Sequence, residues 1–148
     1  MISVQEKDFD VSAEYQALIQ NNTTDGAVVM FTGLVRDFNQ GNVVHGLSLE
    51  HYPGMTEKAL LEIVSDAKQR WSIGKVRVIH RVGDLNLADQ IVFVGVTSKH
   101  REDAFDAAMY IMDFLKNRAP FWKKERTTKG EVWVEANEKD SVSMKKWG

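Results

Sequence analysis

Five cations crowd the stretch FLKNRAPFWKKER between Lys116 and Arg126, with Glu125 as the only acid among them. Such a cluster can hold a phosphate or carboxylate, stabilise negative charge as a reaction builds it, or simply stay hydrated. The bland reading is respectable. Lys116 and Arg118 end an apolar-periodic helical pattern, where cations suit the macrodipole, and Lys123, Lys124 and Arg126 could pair across a hairpin with Glu131 and Glu135. Strand alternation, however, puts Lys123 and Lys124 on opposite faces, so one can face a cleft while the other faces solvent. A unit charge pair at about 4 Å is worth on the order of 4 kcal/mol at an effective dielectric near 20, against about 0 to 1 kcal/mol for an exposed ion pair. Convergence in a partly buried cleft would therefore favour an anion.

Two further segments carry cations in telling places. In SKHRED, Lys99, His100 and Arg101 fall at or just before a helix N-terminus, where the macrodipole disfavours positive charge by about 0.3 to 1 kcal/mol each. Either Glu102 and Asp103 in the first turn offset them, or a bound anion does. Arg36 stands where the apolar run GAVVMFTGLV gives way to the polar DFNQGN, and a guanidinium at a strand end can grip a phosphate bidentately. Residue types and spacing thus suggest an anion site built from Arg36, His100, Arg101, Lys116 and Lys123. They leave the anion unnamed.

Other chemistries find no support. The chain has no cysteine, which removes disulfides, thiolate metal sites and a cysteine nucleophile; any sulfur used here must arrive on a partner. No phosphate loop, GxGxxG, GxSxG or HExxH occurs, and His45, His51, His80 and His100 lack helical ligand spacing, so no metal or cofactor is expected. A net charge of -2 argues against general nucleic-acid binding. The start, MISVQEKDFD, does not resemble a signal peptide and no apolar run approaches a membrane span, so the expectation is a soluble cytoplasmic protein.

The elements that must position these residues form an α+β alternation in one domain. An edge strand over residues 2–9 precedes a helix capped by Asp10 or Ser12, with Tyr15, Leu18 and Ile19 apolar. Residues 26–35, apolar on both alternating faces, read as a buried strand, and DFNQGN as a mobile loop. A strand over 44–52 leads through Pro53 into a helix with Leu60, Val64, Ala67 and Trp71 in register, ended by Gly74. Strands over 76–82 and 91–97 follow, the second central. The helix over 102–118 stops because Pro120 disfavours a helical Ala119. PFWKKER, TTKG and EVWVEA then suit a hairpin. Residues 1–136 make the domain, and 137–148 read as a polar, flexible tail.

The stretches DGAVVMFTGLVRD, LEHYPGMTEKAL, VIHRVGDL, IVFVGVTSKHR, FLKNRAPFWKKE and WVEA, in this order, resemble the large catalytic subunit of molybdopterin synthase over nearly the whole chain. The resemblance implies an α/β hammerhead-type fold with an additional small antiparallel β-subdomain. It also implies a homodimer carrying a small ubiquitin-like sulfur-carrier subunit at each end, a heterotetramer. The small subunit ends in a Gly-Gly thiocarboxylate, and two sulfurs pass to cyclic pyranopterin monophosphate to form the dithiolene of molybdopterin. A cysteine-free chain fits that chemistry.

Carried over by motif, Lys116 and Lys123 match the catalytic lysines. Leu34, Val35 and Arg36, His100 and Arg101, and Lys123, Lys124 and Glu125 match substrate-binding stretches. After WVEA the chain has Asn137, where some relatives are expected to carry a basic residue. Two other readings use the same residues: a non-catalytic module for phosphorylated ligands, and an interaction protein anchored by Phe121, Trp122 and Trp147.

Overall fold

The computed structural model describes residues 1–36, 44–127, 130–134, 138–145 and 147. The expected loop from Asp37, Glu135 and Asn137 lie outside them. The described residues form β1 (Ile2–Gln5), α1 (Val11–Ile19), β2 (Ala27–Leu34), β3 (Val44–His51), α2 (Met55–Arg70), β4 (Ile73–Arg81), β5 (Gly83–Asn86), β6 (Gln90–Ser98), α3 (Arg101–Arg118), β7 (Phe121–Thr127), β8 (Gly130–Val134) and α4 (Glu138–Lys145). They build two four-stranded sheets, ordered β1-β4-β6-β2 and β5-β3-β7-β8. The α+β fold with a second antiparallel sheet is the architecture expected.

Alternation along the central strands decides the layers. Val76 and Val78 of β4 and Val92, Val94 and Val96 of β6 face α2 and α3, where Leu60, Ile63, Ala67, Ala107 and Ile111 complete the main core. Ile79 and Phe93 point the other way and meet Leu18 of α1. A third cluster, with Leu47, Leu49 and Leu85 of the second sheet, Val35 and Val82, ties the two sheets together. Asp10 caps α1 as expected, its Oδ1 accepting from the Ser12 and Ala13 amides at 2.9 and 3.4 Å.

Three expectations need correction. Residues 27–34 are an edge strand rather than a buried one, with Met30, Phe31 and Leu34 at 38%, 43% and 58% exposure. Gly74 does not end α2; Trp71 is the C-cap, and Gly74 lies in β4, where a Cβ would collide with the Asp25 carboxylate and the Thr97 hydroxyl. The expected link GDLNLADQ contains β5, which leaves the first sheet and pairs with β3. Gly83, at φ +86°, makes that change of direction possible.

Pro120 acts as expected: α3 ends at Arg118 and Ala119 is extended (φ -75°, ψ 131°). Residues 138–145 form a helix, and Trp147 packs edge-on against Trp71 and Tyr110 at 5.4 and 5.6 Å, its indole donating to Asp113 at 2.6 Å. Among the described residues, no helix is long and apolar enough to cross a membrane.

Candidate active site

Topology sorts the candidate residues into two groups. β2 and β6 are antiparallel, with Ala27 opposite Ser98 and Leu34 opposite Gln90, so β2 spans about 24 Å between these ends. His100 and Arg101 follow Ser98 at one end, and Arg36 follows Leu34 at the other. α3 starts beside His100 and runs back over β6 and β2, delivering Phe121 onto His80, which lies opposite Val92. Arg101 and Lys116 stand about 22 Å apart along the helix axis at 1.5 Å per residue. One chain therefore gathers Arg36, Lys116 and Lys123 near one end of the first sheet and leaves His100 and Arg101 at the other.

At the first end, Val35 is buried, and its backbone is pinned at both groups: its amide donates to Asp89 at 2.9 Å and its carbonyl accepts from Ala88 at 2.7 Å. That clamp fixes the base from which the exposed Arg36 extends. Leu34 projects outward. Lys116 is exposed in the last turn of α3. In β7, Lys123 and Glu125 pair in register with Leu49 and Leu47, which places them on the core-facing side of the second sheet. Lys124 pairs with Ser48 and lies on the opposite face, as strand alternation requires.

Lys124, Arg126 and Arg118 each have a structural partner. Lys124 binds Glu131 at 3.3 Å and covers the Trp133 ring at 4.5 Å. Arg126 reaches back to Asp84 at 3.5 Å and to the Leu85 carbonyl at 2.9 Å, rather than to Glu131. Arg118 pairs with Asp66 at 3.4 Å and lies over Phe114 at 4.4 Å. The bland account thus holds for these three; what singles out Lys116 and Lys123 is the sequence resemblance, not a lack of contacts.

At the far end, His100 is the N-cap of α3 in extended conformation, without a side-chain cap bond, and both it and Arg101 are exposed. Glu102 and Asp103 occupy the first turn, so the helix carries its own electrostatic offset. A cleft of about 680 Å³ does exist in the chain, but between α2, α3 and α4, lined by Arg70, Tyr110, Phe114 and Trp147 among others. Arg118 lines it, but Arg36, His100, Arg101, Lys116 and Lys123 do not. Among the described residues, no three His, Asp or Glu side chains gather as a metal site.

A ring cluster beside Lys123 was not legible in the sequence. His80, buried in β4, stacks on Phe121 with centroids 3.9 Å apart and planes 21° apart, and His51, paired in register with Phe121 on β3, lies 6.4 Å from it. His80 Nδ1 is 2.9 Å from the Arg81 carbonyl, which only accepts, so Nδ1 carries the proton. Burial, aided by the charges of Lys123 and His51, holds its pKa down at about 4. The unfolded chain then binds the extra proton first, and stability contributed by the neutral ring is complete above about pH 6.5 and lost as pH falls toward 4. We expect acid titration over that window to lower unfolding free energy by up to about 3 kcal/mol from this group, and His80→Leu to flatten the slope. An unchanged slope in that variant would remove His80 as the source.

Residues 4–118 match the family model described as MoaE protein. The chain belongs to the MoaE family. This MoaE chain is 58% identical over 139 residues to the molybdopterin synthase catalytic subunit of Escherichia coli K12, covering 94% of this chain and 92% of that one. Its fold superposes on the molybdopterin biosynthesis MoaE protein from Burkholderia ambifaria MC40-6 with a TM-score of 0.86, at 48% identity, over 100% of this chain and 97% of that one. The fold is also shared with a chain of the protein–protein complex of subunit 1 and 2 of molybdopterin-converting factor from Helicobacter pylori 26695, at TM-score 0.75, 19% identity and 90% coverage of each chain.

Proposed function

We propose that this chain is the catalytic subunit of a molybdopterin synthase. It moves sulfur from the C-terminal thiocarboxylate of a small ubiquitin-like subunit to cyclic pyranopterin monophosphate. Family membership supports the reaction, and the H. pylori complex supports a small partner. The observation that carries the arrangement of the site is the separation of His100 and Arg101 from Arg36, Lys116 and Lys123 along one sheet. Two copies related by a two-fold axis reunite them. An isologous contact along the β2 edge and the neighbouring face of α3 reverses one chain relative to the other, so each far end meets the partner's near end. The surface suits such a contact: Met30, Phe31 and Leu34 on an unpaired edge, with Phe105 and Met109 exposed on α3 at 61% and 51%.

In the pocket so formed, Arg36, His100 and Arg101 hold the substrate phosphate, with Leu34, Val35 and Glu125 in the flanking binding segments, while Lys124, on the opposite face of β7, stays outside it. Lys116 and Lys123 face the reacting atoms. The thiocarboxylate sulfur bonds to a substrate carbon, the ring-closing phosphate ester C–O bond opens, and water then cleaves the acyl–sulfur bond through a tetrahedral intermediate. A second thiocarboxylate then bonds its sulfur to the adjacent carbon, whose oxygen leaves as water, and hydrolysis of that acyl–sulfur bond completes two sulfurs on the pterin and a carboxylate on each small subunit. Both the departing phosphate oxygen and the intermediate build negative charge, which fixed ammonium groups stabilise without reorganisation. A Gly-Gly tail suits an enclosed approach because it has no side chains.

Reconstitution tests this. The chain with thiocarboxylated small subunit and pyranopterin substrate should form dithiolene, and the chain with inorganic sulfide should not match that rate. Equal turnover with sulfide alone would overturn the partner-dependent reaction; binding without dithiolene would return the chain to a phosphate-binding module.

A further inference from the structure

His51, Phe121 and His80 form a row of rings that crosses from the second sheet to the first, two residues before Lys123. Phe121 is where α3 hands the chain to β7, its amide donating to the Ala119 carbonyl at 2.9 Å. β7 is held on the second sheet by β3, whereas Lys116 rides on α3, which packs on the first. The distance between the two lysines therefore depends on how the second sheet sits against the first at this junction. His80 is the first-sheet side of that contact.

We infer that His80 is a positioning residue for Lys123: through its stack on Phe121 it sets where β7 leaves α3, and so where the Lys123 ammonium stands relative to Lys116. This rests on the reading of Lys123 as a site residue. The imidazole suits the task better than an aliphatic core side chain. Its plane matches the Phe121 ring face to face, and the Nδ1–H bond to the Arg81 carbonyl stops it turning about its own axis. A leucine would fill similar volume without either constraint, and Phe121 could then slide. The neutral state of the buried ring also keeps a third positive charge away from the pocket.

The test uses the assembled complex with His80→Leu and His80→Phe. Leu removes ring and hydrogen bond together but keeps the core apolar; Phe restores the stacking plane. We expect His80→Leu to lower turnover at saturating substrate by about tenfold or more, because small misplacements of a catalytic group are costly. KM and small-subunit affinity should stay within about twofold, and His80→Phe should recover most of the loss. A second readout is independent of turnover: mass-spectrometric mapping of lysine acylation should show the labelling rate of Lys123, normalised to Lys58 on α2, changed about twofold or more in His80→Leu and restored in His80→Phe. Wild-type turnover and labelling in a folded His80→Leu protein would overturn the inference, as would losses that follow melting temperature and are not rescued by Phe. A wild-type complex that makes no dithiolene would sink the function reading instead, and the labelling comparison would still decide the role of His80.

Discussion

Lys116→Ala should lower single-turnover dithiolene formation by about a hundredfold or more, the scale on which one transition-state donor is lost. The fold should barely notice. Lys116 is exposed in the last turn of α3, so its removal costs at most the helix-end charge term of about 0.3 to 1 kcal/mol. Lys124 is the control, matched in chemical type and one residue from Lys123. Its side chain pairs with Glu131 at 3.3 Å and lies over Trp133 on the face of β7 away from the core. Lys124→Ala should therefore cost at most about 1 kcal/mol of stability and little turnover. Rates measured beside calorimetric titration of the small subunit separate chemistry from assembly. Equal losses in the two variants, or a Lys116→Ala protein inactive only because it no longer binds the small subunit, would return Lys116 to the role of a helix-end cation.

Mixing an Arg101→Ala chain with a Lys116→Ala chain, each inactive alone, should restore activity. With sites shared across a two-fold axis, a mixed dimer has one site with both defects and one with neither, so random pairing yields about a quarter of wild-type activity. The basis is the separation of about 22 Å along α3 between the two positions in one chain. On the proposed arrangement neither chain closes the pocket by itself. Mixtures that stay inactive after unfolding and refolding together, with mixed dimers shown by mass, would place the whole site within one chain and overturn the shared arrangement. Activity near about one half would mean that Arg101 is dispensable, because every site with an intact Lys116 would then work, and the Arg101→Ala homodimer checks this directly.

Local chemistry was legible in the residues themselves. The Asp10 cap, the Pro120 stop after α3, the apolar stripe of α2 and the central place of β6 follow from side-chain period, capping and proline geometry, all of which act over a few residues. The same reach explains the candidate cations: their types and the opposite faces of Lys123 and Lys124 follow from period-2 alternation, and the motifs around them carry the family. What failed needed knowledge of neighbours. Periodicity reports how many faces of a strand are apolar but not what covers them, so β2 read as buried when it is an edge with an apolar outer surface. Gly74 looked like a helix stop because the Asp25 carboxylate that needs its missing Cβ comes from a distant turn. β5 hid inside a link because four residues show little alternation until β3 lies beside them. Residue types and spacing drew the five cations into one site without saying which chain supplies each. Only the antiparallel pairing of β2 with β6 and the return of α3 across them put His100 and Arg101 at the far end, because strand direction and order are set by non-local pairing that no local pattern encodes.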